Sequence, residues 1–333
     1  MTRNFLFAFL FLAIVAFSQF TMANKYLLHS ELKDIQCASV KNNDENLASL
    51  SSNRTRLIVE LGEQTIIELV KIYKGVYSPK KTDCAKDSKS ESLPGQKIKI
   101  SKDFFFGKFE ITQAQFHEVM GFNPSYFVYE NSNNHPVEHV CWYDAVRFCN
   151  ALSLKLRLTP CYRNQYGSTE IEDADEVYCN WSANGFRLPT EAEWEYACRA
   201  GTQTSFQSGE EFDAEYGWFW DNSHVNYSPN SKGRGTHAVG KKKENAWGLH
   251  DMHGSLWEMC WDWYSPDIAT QALLVDPKGP NSGCCRTYRG GCWSSRTEAL
   301  KCHSRHGCCP LYRNGHMGFR ICKNTITKSG AKP

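Results

Sequence analysis

Apolar and polar residues alternate from Ile66 to Ser78 (IIELVKIYKGVYS), which is the period of a strand with one buried face. This predicts the first strand of the chain. A second alternating stretch, KIKISKDFFFGKFEIT from Lys97 to Thr112, predicts a hairpin. The apolar period then lengthens to that of a helix three times. Thr112 and Gln115 make a capping box ahead of a helix over Gln113 to Met120, with Gly121 as its stop. Cys141 to Leu152 places Ala145, Phe148, Cys149 and Leu152 on one helical face. Thr190 and Glu193 make a second capping box; Glu191 and Glu193 suit the positive helix start, and Gly201 suits its end. Beyond Gly201 helical periodicity is lost, and the chain reads as loops with short strands.

The stretches between are polar. Residues 24–64 form a lead segment in which Lys41 to Thr55 (KNNDENLASLSSNRT) reads as a loop or linker, and residues 79–97 read as a loop. At the start, Arg3, the apolar run Phe5 to Phe17 and the small-residue site Thr21-Met22-Ala23 compose a secretory signal over residues 1–23. The apolar run is short for a bilayer span of about 20 residues. The expectation is therefore cleavage near Ala23, a secreted or periplasmic protein, and no integral membrane segment after signal removal.

Composition adds three constraints. A hydrophobic share of 41% and a charged share of 22% over 333 residues are those of a globular protein. A net charge of +2 provides no field that would favour nucleic acid. Fifteen cysteines in an exported chain imply disulfides, and the odd count leaves at least one thiol free or paired between chains.

Three motifs carry the chemistry: GFRLPTEAEWEYACRAGT (Gly185 to Thr202), NAWGLHDMHGSLWEMCWDWY (Asn245 to Tyr264) and RGGCW…GFR (Arg289 to Arg320). With FFFGKFEITQAQFHEVMGFNPSYF and HPVEHVCWYDAVRFCN upstream, this chain resembles the formylglycine-generating enzyme family, also called the sulfatase-modifying-factor family, over residues 65–325. The resemblance implies a compact, irregular α+β fold with a C-type-lectin-like core and little regular secondary structure. Residues 326–333 are left as a C-terminal tail.

In that family a C-x4-C pair after Gly-Gly binds Cu(I) and oxidises a substrate cysteine to formylglycine. Soft sulfur suits that ion. Here the text runs Gly290-Gly291-Cys292-Trp293-Ser294-Ser295-Arg296-Thr297-Glu298-Ala299-Leu300. Counted forward, Ser295 and Leu300 fall on the two thiol positions; counted backward from Cys302, Cys292 and Thr297 do. Neither alignment restores the pair, so Cys292 is the one catalytic thiol the resemblance leaves, and copper follows only if the oxidase reading holds. The expectation is an exported, non-standard family member that acts as a binding or accessory protein. Formylglycine-generating oxidase is the alternative.

On the binding reading, a surface from Trp293 to Met317 contacts an unknown protein or small-molecule ligand through Trp293, Ser295, Arg296, His303, Arg305, His306, Tyr312 and Arg313. The resemblance also implies a calcium site at Glu258, with Ser255 standing where asparagine is usual; a structural acceptor role for Glu258 is the alternative. By position in the family, Cys149 would bond Cys322 and Cys198 would bond Cys302. Cys161 and Cys179 flank a polar insertion that a third bridge would close. Arg187 and Arg320 are expected to pair with motif carboxylates.

Overall fold

The computed structural model describes residues 49–52, 55–62, 64–79, 96–225, 233–266 and 273–325. The signal segment, most of the polar lead, most of the 79–97 loop and the tail lie outside the described residues. All described residues belong to one compact unit.

The described residues form fifteen strands and three α-helices. The strands upstream of the first helix are β1 (Ser49–Ser52), β2 (Arg56–Glu60), β3 (Ile66–Ile72), β4 (Gly75–Tyr77), β5 (Lys97–Ile100) and β6 (Phe104–Gly107). Helices α1 (Gln113–Met120) and α2 (Trp142–Lys155) follow, then β7 (Tyr162–Asn164), β8 (Val177–Cys179), β9 (Phe186–Arg187) and helix α3 (Glu191–Arg199). The rest is β10 (Trp257–Trp263), β11 (Leu273–Val275), β12 (Arg286–Arg289), β13 (Arg305–Cys308), β14 (Met317–Gly318) and β15 (Cys322–Asn324). A six-stranded sheet runs β1-β2-β3-β6-β15-β9, and a four-stranded sheet runs β13-β12-β10-β14. This is the irregular α+β architecture that the resemblance implied.

The helices start where the side chains dictate. Thr112 and Gln115 exchange hydrogen bonds with each other's backbone N–H, as do Thr190 and Glu193. Gly121 ends α1 at φ 81°, a left-handed conformation that costs glycine nothing. α2 runs past Leu152 to Lys155 and buries Trp142, Ala145, Val146, Phe148, Cys149 and Leu152. Phe148 stacks on Phe116 of α1 at 5.6 Å and meets Phe319 edge-on at 5.3 Å, which locks both helices to the C-terminal motif.

Two strand expectations need correction. β5 and β6 do not form a hairpin with each other. β5 pairs with β4 and β11, whereas β6 lies between β3 and β15. Each strand finds a better apolar face elsewhere: Ile98 and Ile100 pack with Tyr77, and Phe106 sits beneath Arg320. The first sheet also begins before residue 65. Leu57 and Val59 alternate with exposed Arg56 and Glu60, so β2 buries one face on β3, and β1 adds to its edge. Ser49–Ser52, inside the expected loop, is strand.

Candidate functional site

Buried guanidinium–carboxylate pairs fix the long loops that carry the motifs. Arg187 donates two hydrogen bonds of 2.7 Å to Glu193, and Arg320 donates two of 2.6 Å to Glu258. Both ion pairs expected of Arg187 and Arg320 are formed. Arg289 binds Glu195, and Arg305 binds Glu191, so α3 is clamped to β12 and β13 along one face.

Glu258 is sealed from solvent and also accepts a 2.8 Å hydrogen bond from the Trp194 indole. Ser255 takes a left-handed backbone (φ 62°), and its Oγ donates to Glu110 at 2.8 Å. The two residues proposed for calcium thus serve different protein partners. Three donors already converge on Glu258, and this donor set fits the structural acceptor rather than an ion ligand. Burial, and then the neighbouring Glu258 charge, raise the Glu110 carboxyl well above its ordinary range.

The turn after β12 depends on Gly290 and Gly291, at φ 94° and 76°. A Cβ on Gly291 would stand 2.5 Å from Leu300 Cδ2, so the close return of the chain requires glycine there. The turn delivers Cys292 into a small apolar cluster with Phe127, Leu256 and Trp293. Cys292 is 2% exposed, and its Sγ lies 3.3 Å from both Ser294 Oγ and Ser295 Oγ. Burial raises its thiol above the ordinary value, the reverse of activation. At the second thiol position of either alignment, Leu300 is fully buried against Phe206 and Phe219, and Thr297 opens a short 3-10 turn. Hydroxyls are hard donors, and the residues around Cys292 do not fit a two-thiolate Cu(I) centre.

The expected ligand-contact residues divide into two groups. Several are structural. Trp293 is 4% exposed, donates its indole N–H to Gly315 O, stacks on His316 at 4.6 Å and meets Phe127 edge-on. His303 is buried; Arg305 is spent on Glu191 and Ser265 O; and Arg313 is spent on Asp144. Ser295 is half-buried and accepts the Cys292 backbone N–H. The remainder face solvent. Arg296 is exposed and pairs with Asp221, His306 leans on the half-buried Trp257 at 5.5 Å, and Tyr312 is 51% exposed beside Leu311 at 42%. The segment therefore presents a surface of rings and apolar side chains over a fixed base.

Glu138 lies under that base and was not singled out from the sequence, although it stands in the HPVE motif. Its Oε1 accepts the Phe127 N–H at 2.7 Å. Its Oε2 is buried and meets no hydrogen-bond donor among the described residues; a Cβ on Gly315 would come within 3.4 Å of it. Burial pushes the carboxyl up to about 7.

The structure brings Cys198 and Cys302 together, with sulfurs 3.5 Å apart, and places His253 Nε2 3.9 Å from Cys198 Sγ. All the described cysteines carry free thiols, including those of the expected pairs Cys149–Cys322, Cys198–Cys302 and Cys161–Cys179. The Cys198 thiol donates to Cys302, and that hydrogen bond holds Cys302 below the ordinary thiol range. His253 was hidden inside the GLHDMHG motif, where nothing in the sequence separates a ligand from a core histidine.

A separate polar cleft of about 520 Å³ is lined by Lys74, Ser101, Asp103, Trp181, Arg187 and Lys278, among others, and takes no residue from 289–320. No helix among the described residues is long and apolar enough to cross a membrane.

The family model for the sulfatase-modifying factor enzyme 1-like domain matches residues 55–325. The chain is 38% identical over 233 residues to a chaperone protein LppX of Paenibacillus barcinonensis, covering 65% of this chain and 78% of that protein. It is 31% identical over 207 residues to the formylglycine-generating enzyme of Streptomyces coelicolor, covering 60% of this chain and 55% of the enzyme, so it spans about half of that relative's length. Among solved structures, Treponema denticola variable protein 1 is similar with a TM-score of 0.67 at 32% identity, covering 84% of this chain and 99% of that one.

Proposed function

The chain belongs to the sulfatase-modifying factor enzyme 1-like family, and from that membership we propose that it is a binding or accessory protein whose contact surface is the face built by residues 293–317. The observation that carries this reading is the state of Cys292. Its thiol is sealed among Phe127, Leu256 and Trp293 with hydroxyls for neighbours and, among the described residues, no second sulfur in that cluster. The scaffold that aims the segment is nevertheless complete, from the Arg320–Glu258 pair to the Trp293–Gly315 hydrogen bond. The chemistry of the family is undone at that point, while the platform is kept.

The surface suits recognition. His306, Leu311 and Tyr312 stand out from a base that Trp257, Trp293 and His316 hold rigid. Aromatic side chains on a fixed backbone offer contact area at little entropic cost. Residues 1–23 support export, which would set this surface before a partner outside the cytoplasm. The relatives named as a chaperone and as a variable protein are compatible with this reading, and their roles are not transferred further. Formylglycine-generating oxidase remains the second reading, favoured by the similarity to such an enzyme over 207 residues and opposed by the surroundings of Cys292.

A peptide library displayed on phage and selected on the full chain tests the surface. Selected peptides should bind His306→Ala/Tyr312→Ala at least about tenfold more weakly, a loss of about 1.4 kcal/mol. Peptides that bind the double variant as well as the parent would move the contact surface elsewhere.

A further inference from the structure

The side chains of Cys198, His253 and Cys302 come from three separate parts of the chain: the last turn of α3, the loop before β10, and the turn that follows the Thr297–Leu300 helix. Their donor atoms, two sulfurs and one imidazole nitrogen, all lie within 4.8 Å of one another, and all three residues are buried. We propose that these three residues form a site for a thiophilic metal ion, with monovalent copper as the ion whose coordination they match.

The spacing is that of a coordination shell. A cation about 2.3 Å from each sulfur and about 2.0 Å from an imidazole nitrogen sets its donors roughly 3.5–4 Å apart. The observed separations are 3.5 Å between the sulfurs and 3.9 Å from Cys198 Sγ to His253 Nε2. The histidine is oriented from behind: its Nδ1 lies 2.7 Å from Leu300 O, so Nδ1 carries the hydrogen, and Nε2, 3.9 Å from Cys198 Sγ, is left with a long 3.4 Å contact from the Gln207 N–H that an ion would replace. This is the arrangement in which ligating histidines are held by an outer partner. Met252 O lies 3.8 Å from Cys198 Sγ, and the Arg199 side chain lies close to both thiols.

Donor count and burial together choose the ion. Zinc takes four ligands, and two sulfurs with one imidazole hold it only when water fills the fourth position, which this fully buried group does not favour. Among the described residues, the group holds three of the side-chain types that ligate metals. Two soft sulfurs and one imidazole suit three-coordinate Cu(I). Binding displaces the protons of both thiols to solvent, and no oxidation state changes. The competing fate of the same pair is a disulfide, which would draw the sulfurs about 1.5 Å closer and remove both ligands. Cys302 belongs to the 293–317 segment but is fully buried, and none of the three ligands is among the solvent-facing His306, Leu311 and Tyr312, so the site does not rest on the binding reading.

The test uses the full chain, reduced, with its exposed thiols blocked by iodoacetamide, freed of metal by a chelator, and titrated with Cu(I) against bathocuproine. One equivalent should be retained, and X-ray absorption of the loaded protein should show two sulfurs and one nitrogen around copper. That readout needs no variant. Cys198→Ser and Cys302→Ser, shown folded by circular dichroism, should each weaken binding on the order of 100-fold or more, and His253→Ala at least about tenfold. Unchanged copper affinity in the two cysteine variants would overturn the proposal, as would an all-sulfur shell. So would peptide mapping that finds Cys198 and Cys302 joined as a disulfide that persists under the reductant. Peptide binding at His306 and Tyr312 should be the same with and without copper, so failure of either idea leaves the other standing.

Discussion

Arg320 grips Glu258 through two hydrogen bonds of 2.6 Å, with both side chains sealed from solvent. The arginine also donates to Gly107 O and His250 O, so one guanidinium ties β6, the loop before β10 and the final motif together. Taking away one partner leaves an unpaired buried charge, which typically costs about 3–5 kcal/mol. Glu258→Ala should lower unfolding stability by that amount in urea titration. Millimolar calcium should leave the melting temperature of the parent unchanged. A calcium-dependent rise that disappears in Glu258→Ala would return the ion to this motif.

Glu138 makes stability depend on pH. Its folded carboxyl sits near 7, against an ordinary value of 4.5. Between these values the unfolded chain has lost the proton that the folded chain keeps. Stability therefore falls as pH rises from about 4.5 to about 7 and is level above, by roughly 3 kcal/mol for a shift of this size. Asp262, pushed up to about 8 by burial first and by Glu191 second, acts in the same direction. The comparison to make is thus between the parent and Glu138→Gln, by urea unfolding across pH 4.5–8. The variant should lose a large part of the slope, and an unchanged slope would show that Glu138 is ionised throughout.

Thiol reactivity should sort by burial. Cys284 and Cys309 are exposed and Cys285 is half-buried, and all three lie at the open end of the β12–β13 pair. Cys141, Cys149, Cys161, Cys260, Cys292 and Cys322 are buried. In the native, reduced protein iodoacetamide should label Cys284 and Cys309 first and spare Cys292 until unfolding. Rapid labelling of Cys292 in the native state would mean an open, activated thiol and would count against the binding reading.

Much of the helical frame was legible because its signals are local. Thr112 with Gln115, and Thr190 with Glu193, bond within four residues of sequence, and both boxes close as their spacing demands. Strand partnership is different. The alternation of KIKI and FFFG marks two strands, yet whether they pair with each other is decided by β3, β11 and β15, far away in sequence. The strands RTYR and RHGC carry no apolar alternation, so the expectation of short strands beyond Gly201 could not place them. At the candidate site, the loss of the second thiol was visible as Thr297 or Leu300. The burial of Cys292, the free oxygen of Glu138 and the approach of His253 to Cys198 and Cys302 arise from long-range folding, and no local pattern announces them.

The measurement that bears most directly on function is incubation of the reduced full chain with Cu(I), oxygen and a sulfatase-type cysteine peptide, with mass spectrometry for the aldehyde. The sealed thiol at Cys292 predicts no aldehyde, even when copper is bound elsewhere in the protein. Catalytic aldehyde formation that is abolished in Cys292→Ser would contradict the account and make the chain an oxidase.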